Sequence, residues 1–189
     1  MLFPKKIILA SNSPRRQEFL KQLQIVHEIK TFEVEEIYPE HLMAEEITNY
    51  LSLLKAKPFD HILKDDEILI TSDTIVWLDN QALGKPLDIE DAIKMLQKLS
   101  GKTHQVITSF ALKSNQKTEV YFEKTMVTFR ELTLDEITFY INEFKPLDKA
   151  GSYGIQDWIG LVGISQISGS YTNVVGLPTS LLYEKLKSF

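Results

Sequence analysis

Hydrophobic and polar positions follow two different periods along the first forty residues, and each period predicts one kind of element. The Ile-rich run over 6–10 is typical of a short buried strand, and the alternation over 27–32 predicts a second strand. Ser13 followed by Pro14 predicts a helix that begins there, because proline fits the first helical turn. The acidic stretch 33–40 contains a proline and predicts a loop.

Two amphipathic helices are predicted in the middle of the chain, because apolar residues recur there at helical spacing. The apolar stripe of the first helix consists of Ile47, Tyr50, Leu51 and Leu54. The apolar stripe of the second consists of Ala92, Met95, Leu96 and Leu99. We expect the first helix to end near Lys57. The second should begin at Asp88 and end at Gly101, since aspartate is a typical N-cap and glycine a typical C-terminal residue.

The second half of the chain alternates between strand and helix patterns. The stretches 105–113 and 119–130 are rich in Val, Thr, Phe and Tyr and predict two long antiparallel strands. Thr133 and Glu136 have the spacing of a capping box and predict the start of a helix. Crowded glycines after this helix predict turns and short strands, and a last helix begins near Thr179. Because strands and helices interleave throughout, we predict an α/β fold with a mixed sheet.

Composition narrows the classes of function. The chain has 189 residues, of which 43% are apolar and 25% charged, as in ordinary globular proteins. A net charge of -5 argues against non-specific binding to nucleic acids or membrane surfaces. The lack of cysteine excludes disulfides, thiolate nucleophiles and cysteine-ligated zinc. The run from Met1 to Ala10 is too short for a signal peptide and no other run could span a bilayer, so we expect a cytoplasmic protein.

Cations concentrate near the amino terminus, where no acidic residue precedes position 17. Arg15 and Arg16 fall in the first turn of the predicted helix, and Lys5 and Lys6 precede them in the same N-terminal segment. This end of a helix already carries partial positive charge, so two arginines are unfavourable there unless an anion binds between them. Free N–H groups near Ser13 would point at the same place, as a polyphosphate requires. The alternative is a pair of solvated surface arginines.

Asp73 is the most unusual acidic residue, because it stands between the apolar runs 68–70 and 75–78 at a predicted strand end or kink. A buried unpaired carboxylate is costly, which favours a metal ion, a cationic partner or a catalytic role. The alternative is a carboxylate satisfied by the N–H groups of a local turn. Asp79-Asn80 predicts a turn, and the resulting hairpin would bring Lys85 back toward Asp73.

Several further charged residues are weaker candidates when each is considered alone. Glu33, Glu35 and Glu36 lie on the predicted acidic loop, which is typical of solvated surface. Lys55 and Lys85 are more often surface charges than ligand contacts. Familiar motifs are missing: Gly101-Lys102-Thr103 has no glycine five positions earlier for a P-loop, and no GxGxxG, GxSxG or HExxH pattern occurs.

Taken together, the motifs of this sequence resemble one family, the Maf (septum formation inhibitor) nucleoside triphosphate pyrophosphatases. The matching stretches occur in the order of the family and cover nearly the whole chain. They are Leu9-Ala10-Ser11-Asn12-Ser13-Pro14-Arg15-Arg16, Ser72-Asp73-Thr74-Ile75-Val76, Gly84-Lys85-Pro86, Leu99-Ser100-Gly101-Lys102-Thr103-His104, Asp148-Lys149-Ala150-Gly151-Ser152-Tyr153-Gly154-Ile155-Gln156 and Val175-Gly176-Leu177-Pro178.

The resemblance implies a fold, a reaction and a cofactor. The fold is a single domain over 1–189, with an elongated mixed sheet flanked by helices and two lobes around a cleft, related to the inosine-triphosphate pyrophosphatases. The reaction is hydrolysis of a nucleoside triphosphate to the monophosphate and diphosphate, with a divalent metal cation, Mg²⁺ or Mn²⁺, in the cytoplasm. Members are often homodimers, although no apolar stripe here marks an interface, and no nucleic acid or membrane partner is implied.

The resemblance also implies roles for individual residues. Asp73 matches the catalytic acid/base position of the family. Arg15, Thr74 and Gln156 match the positions for base selection, in the combination of the branch that acts on dTTP and UTP. The other matching cleft positions are Ser13, Arg16, Glu35, Lys55 and Lys85. Chemically, the cations suit phosphate binding, while Glu35 and Asp73 supply the oxygen ligands of a metal.

Two departures from the family pattern bear on substrate choice more than on reaction type. Ser72 stands where alanine is usual, and Asp157-Trp158 replaces the glycine usual after Gln156. Two alternatives therefore accompany the hypothesis that the substrates are dTTP, UTP and modified pyrimidine triphosphates. One is the same reaction on 7-methyl-GTP or another non-standard nucleotide, and the other is a non-catalytic nucleotide-binding regulator of cell division.

Overall fold

A computed structural model describes residues 4–189, and within this range seven strands form one mixed sheet. The strands are β1 (Lys6–Leu9), β2 (His27–Ile29), β3 (Glu67–Leu78), β4 (Gln81–Leu83), β5 (Thr103–Lys113), β6 (Thr118–Phe129) and β7 (Ile164–Ser168). The helices are α1 (Pro14–Gln22), α2 (Glu45–Ala56), α3 (Ile89–Leu99), α4 (Leu134–Phe144), α5 (Trp158–Gly163), α6 (Tyr171–Val175) and α7 (Thr179–Ser188). Interleaved strands and helices confirm the predicted α/β class.

The sheet contains both parallel and antiparallel pairs of strands, because some strands are connected through helices and others through a tight turn. Its strand order is β2-β1-β3-β5-β6-β7, and β4 pairs with β3. β1 runs parallel to both β2 and β3, as strands joined through helices do. β4 pairs antiparallel with β3 across a tight turn, and β7 pairs antiparallel with β6. Among residues 4–189, every helix is too short or too polar to cross a bilayer.

The chain divides into two compact units, each with an apolar core of its own. Unit 1 comprises the described part of Met1–Asp73, together with Thr108–Glu123 and Gly176–Phe189. Unit 2 comprises Thr74–Ile107 and Lys124–Val175. The first core includes Ile7, Leu9, Leu20, Phe110 and Leu182, and the second includes Leu96, Phe129, Ile137, Tyr140 and Ile159. The single domain expected over 1–189 stays a prediction, and its residues 1–3, like the first part of the run from Met1, lie outside the described residues.

Local sequence signals placed most element boundaries correctly. Asp88 caps α3 by accepting a hydrogen bond from the Asp91 N–H, and Thr133 and Glu136 form the predicted capping box. Asp79 and Asn80 both have positive φ, 50° and 61°, as the tight turn between β3 and β4 requires. Each of these signals is a short-range hydrogen bond or backbone preference, which explains why sequence alone sufficed.

Three predicted elements differ from the structure. β2 ends at Ile29, although its pattern predicted a strand to 32. Asp73 does not lie at a strand end or kink: β3 is continuous from Glu67 to Leu78, because buried partners satisfy its central polar residues. The glycine-rich last third contains the short helices α5 and α6 in addition to turns and a strand.

Candidate active site

A lysine and two carboxylates form the centre of the candidate site in unit 1. Lys55 lies in the last turn of α2, and its Nζ donates to Asp73 Oδ1 at 2.6 Å. The same Nζ lies 3.2 Å from Glu36 Oε1. Asp73 is only 6% exposed, so its carboxylate is nearly removed from bulk water and depends on Lys55 for charge compensation.

Arg16 belongs to the same electrostatic cluster. Its Nη1 donates to the backbone oxygen of Ser72 and its Nε to that of Gly176, each at 2.8 Å. Burial is the main cause that lowers the pKa of Arg16, and Arg15 lowers it further, whereas the charges of Asp73 and Glu36 raise it. The charges of Arg15, Asp73 and Glu36 therefore all act on the Arg16 guanidinium. Unit 1 thus brings the predicted residues Arg15, Arg16 and Asp73 together, and adds Glu36, which was not assigned a role.

The start of α1 supplies the backbone part of this cluster. Ser13 occupies the predicted N-cap position, although its side chain makes no capping hydrogen bond. Instead, the Ser13 N–H donates to Ser11 Oγ at 3.2 Å. The first turn of the helix carries no acidic residue, so the positive end of its dipole reinforces the two arginines. This combination attracts an anion such as a phosphate group.

The acidic loop contributes a carboxylate that the sequence analysis did not single out. Glu35, the predicted ligand, is exposed, and its backbone oxygen accepts a hydrogen bond from the Ile37 N–H. Its neighbour Glu36 is the residue whose side chain reaches Lys55. In sequence both glutamates belong to one acidic run, and nothing in the residue pattern distinguishes them. The assignment of Glu35 stays a prediction.

The oxygen donors near Lys55 fit a hard divalent cation. No group of three or more His, Asp or Glu side chains with metal-binding geometry occurs among residues 4–189. Mg²⁺ is commonly held by only one or two carboxylates, with substrate phosphates and water completing its shell. Asp73 and Glu36 both lie within 3.2 Å of the Lys55 ammonium group, so their carboxylates are close enough together to face a common cation. Such a donor set suits Mg²⁺ or Mn²⁺ better than a softer metal.

The remaining predicted residues, Thr74, Lys85 and Gln156, lie in unit 2. Thr74 is half-buried on β3, and Lys85 is exposed two residues beyond the end of β4. The predicted hairpin is confirmed: Val76 pairs with Leu83, so β4 leads the chain back along β3 toward Thr74. Gln156 is exposed, and its amide is available to a ligand.

Hydrogen bonds hold the segment that carries Gln156 in a fixed shape. The Gly151 N–H donates to the Gly84 backbone oxygen at 3.0 Å, which ties this segment to the residue before Lys85. Gly151 has a φ of 67°, and a Cβ there would lie 2.8 Å from Val76, so glycine is required. The backbone around Gln156 is therefore anchored to the β4 hairpin within unit 2.

The two bulky residues after Gln156 turn toward α4. The Tyr140 hydroxyl donates to Asp157 Oδ2 at 2.8 Å and accepts from the Gly154 N–H at 3.1 Å. The ring of Trp158 packs edge-on against Phe139, with centroids 5.0 Å apart. These two departures from the family pattern therefore brace the segment against α4 in unit 2.

Comparison with known proteins places this geometry in context. The family model described as "Maf-like protein" matches residues 6–189. A dTTP/UTP pyrophosphatase of Flavobacterium psychrophilum is 58% identical over 94% of this chain and 91% of its own length. The dTTP/UTP pyrophosphatase of Flavobacterium johnsoniae is 54% identical over 96% and 93%. The solved structure of the Staphylococcus aureus Ham1 protein covers 96% of this chain and 100% of its own, with a TM-score of 0.54 and 18% identity, which shows a shared fold.

Proposed function

The chain belongs to the Maf family, and we propose that it hydrolyses dTTP and UTP to the nucleoside monophosphate and diphosphate. The observation that carries this proposal is the charged cluster in which Lys55 contacts the buried Asp73 and the exposed Glu36, with the Arg16 guanidinium in the field of both carboxylates, an arrangement that a purely structural core does not need. The dTTP/UTP pyrophosphatases that are 58% and 54% identical to this chain support the choice of substrate.

The reaction demands charge neutralisation more than covalent chemistry. Water attacks the α-phosphorus, the bond to the bridging oxygen breaks, and negative charge builds on the departing diphosphate. We assign Arg15, Arg16, Lys55 and Lys85 to the phosphate oxygens, because positioned cations stabilise charge that develops in the transition state. The positive end of α1 supplies further attraction, with Ser13 at its N-cap as a further phosphate contact through a hydroxyl that makes no capping hydrogen bond.

Asp73 is the residue that we assign to the attacking water. Its carboxylate accepts a hydrogen bond from Lys55 through one oxygen, which leaves the second oxygen to orient the water or accept its proton. Low exposure of Asp73 strengthens its electrostatic interactions, because the local dielectric constant is lower than that of water.

A divalent cation, Mg²⁺ or Mn²⁺, would be held by Asp73 together with a carboxylate of the acidic loop, Glu35 or Glu36. When bound, it neutralises charge on the phosphate oxygens.

We assign recognition of the base to Arg15, Thr74 and Gln156. An amide such as that of Gln156 both donates and accepts, so it can pair with the edge of a pyrimidine. We place the reaction in the cytoplasm, where the pool of nucleoside triphosphates lies. We also propose a homodimer, which a measurement of molecular mass in solution would test.

Diphosphate release across a nucleotide panel tests this proposal. The panel contains dTTP, UTP, CTP, GTP and 7-methyl-GTP, each with Mg²⁺ or Mn²⁺. We expect the highest kcat/KM for dTTP and UTP. Preference for 7-methyl-GTP would overturn the base assignment and keep the reaction. Tight nucleotide binding without release of diphosphate would favour the regulatory alternative.

A further inference from the structure

A band of buried hydroxyl groups lies directly behind the Lys55–Asp73 pair in unit 1. We call it the hydroxyl seam, and its side chains, all fully buried, are Thr48, Ser52, Thr71, Ser72 and Ser109. The first two lie on α2, the next two on β3, and the last on β5. The seam thus joins the helix that carries Lys55 to the strand that carries Asp73.

Hydrogen bonds connect the seam into one network. Thr71 Oγ1 donates to the Ser52 backbone oxygen at 2.7 Å, and Ser72 Oγ donates to the Ser109 backbone oxygen at 2.8 Å. Ser52 Oγ donates to the same Ser109 oxygen at 3.1 Å, and Thr48 Oγ1 bonds to Ser109 Oγ at 2.6 Å. Every seam residue therefore bonds to a different element from its own.

The seam and the ion pair follow the same interface between α2 and β3. Ser52 and Lys55 are three residues apart and share a face of the helix. Thr71 and Asp73 are two residues apart and share a face of the strand. The Thr71–Ser52 bond and the Lys55–Asp73 bond are therefore consecutive links between the same two elements. A slide of α2 along β3 that broke the first link would also change the second.

Stability alone does not account for buried hydroxyls at this interface. For the side-chain pair Thr48 and Ser109, replacement of both hydroxyls by apolar groups of the same shape can be nearly neutral or stabilising. Apolar packing, however, allows a helix several positions along a sheet, whereas directional bonds in a fully satisfied network specify one. Ser72 extends this control to Arg16, because its backbone oxygen accepts the hydrogen bond from Arg16 Nη1.

We infer that the hydroxyl seam is a set of positioning residues that fixes Lys55 against Asp73 and thereby sets the rate of turnover. This inference rests on the proposed function. The seam side chains are fully buried and so out of reach of a bound substrate, and their loss should therefore lower kcat and leave KM nearly unchanged. Misplacement of a catalytic pair by about 1 Å is enough to reduce a rate by one to two orders of magnitude.

Thr71→Val tests the inference, because it removes the hydroxyl with little change of shape. We expect kcat to fall on the order of tenfold, with KM within about twofold of the wild type, and Thr71→Ser to restore kcat. The matched control is Thr125→Val in unit 2, where Thr125 Oγ1 is likewise buried and donates to the Ser170 backbone oxygen. This control should keep its kcat. Wild-type kcat in Thr71→Val, an equal loss in Thr125→Val, or no rescue by Thr71→Ser would each overturn the inference.

A second readout separates the seam from the proposed reaction. A double-mutant cycle on unfolding, with Lys55→Met and Asp73→Asn, measures the coupling between the ion-paired residues. We expect this coupling to shrink in the Thr71→Val background and to persist in the Thr71→Ser and Thr125→Val backgrounds. Unchanged coupling in Thr71→Val would overturn the inference. If the wild type released no diphosphate, the proposed function would fail, and this cycle would still decide on the seam.

Thr48→Val serves as a second route if Thr71→Val does not fold. It removes the hydroxyl that bonds to Ser109 Oγ from the opposite end of the seam. The same fall in kcat and the same loss of coupling are expected, with Thr48→Ser as the rescue. Full activity of Thr48→Val with intact coupling would count against the seam as a positioning device.

Discussion

The two units bury polar groups in different ways, and the difference separates two kinds of task. Unit 1 buries small hydroxyls behind a lysine, an arginine and a carboxylate, with Lys55 and Asp73 in direct contact. Unit 2 buries larger polar side chains. The Tyr153 hydroxyl forms a hydrogen bond with His104, and the Tyr140 hydroxyl accepts one from the Gly154 N–H. Charges held by directional bonds suit chemistry on an anion. The buried tyrosines of unit 2, Tyr140 and Tyr153, are aromatic anchors that fix the shape of the segment carrying Gln156.

This comparison predicts different kinetic consequences for the two units. Substitutions in the charged cluster of unit 1 should change turnover and phosphate binding. Substitutions at the aromatic anchors of unit 2 should change stability and the choice of base, because the segment that they hold carries Gln156.

Asp73→Asn should have the largest effect. The amide keeps the size of the carboxylate but cannot accept a proton from water, so kcat should fall about a hundredfold or more. The measurement is diphosphate release from dTTP, with circular dichroism to verify folding. Asp66→Asn is the control, because Asp66 forms an exposed pair with Lys6 in the same unit. Near-normal turnover in Asp73→Asn would refute the role of Asp73 and weaken the distinction between the units.

Arg15→Ala should weaken nucleotide binding more than turnover. Loss of a charge-assisted contact to the nucleotide costs about 1.5–3 kcal/mol. Calorimetric titration with a non-hydrolysable dTTP analogue measures this loss. Lys21→Ala, an exposed position in the last turn of the same helix, is the control for a general loss of charge. Equal affinity of Arg15→Ala and the wild type would contradict a role for Arg15 in binding and favour the alternative interpretation, a surface arginine without a ligand.

His104 should make unit 2 sensitive to acid. Burial lowers the pKa of His104 to about 4, against about 6.5 in an unfolded chain. As pH falls below 6.5, the unfolded chain binds a proton that the folded chain excludes, so stability falls until pH 4 and then levels off. Between pH 7 and pH 5 this loss amounts to about 2 kcal/mol.

Urea unfolding of the wild type and His104→Phe at these two pH values measures the effect. The variant should lose this part of the pH dependence, whatever its absolute stability. Glu136 contributes little in this window, since its pKa, lowered mainly by its bond with Arg130, is about 2, and the ordinary pKa of a glutamate also lies below pH 5. An unchanged slope in His104→Phe would mean that another group causes the acid sensitivity.

Tyr140→Phe should give the smallest effect and the most specific one. Burial and the bond to Asp157 raise the pKa of the Tyr140 hydroxyl, which therefore stays a neutral donor. Its loss should cost about 1 kcal/mol of stability and lower the preference for dTTP over GTP by roughly fivefold, since the segment before Gln156 loses an anchor. The exposed Tyr171→Phe is the control. A fall in kcat with unchanged base preference would contradict the proposed division between the units.

Much of the fold was predictable because its signals are local. The capping box at Thr133 and the Asp79-Asn80 turn depend on neighbouring residues, and both were predicted. The continuity of β3 through Asp73 was not predictable in the same way. Its polar residues are tolerated only because partners from α2 and β5 meet them in space, and sequence distance hides those partners.

The same limit applies to the candidate site. Lys55 had no distinguishing mark as a single residue, and only the resemblance to a family singled it out before the structure placed it on Asp73. Glu36 was inseparable from Glu35 in the acidic run, because the path of a loop without regular secondary structure decides which side chain reaches Lys55. Ser72 looked like a minor departure, but it links β3 to β5.

The most direct test of the central claim follows the oxygen of water during hydrolysis of dTTP in ¹⁸O-labelled water with Mg²⁺. Attack on the α-phosphorus assisted by Asp73 predicts one labelled oxygen in the nucleoside monophosphate and none in the diphosphate, with Asp73→Asn slower by about a hundredfold. Label in diphosphate or inorganic phosphate, or equal rates of labelling in the wild type and Asp73→Asn, would contradict it.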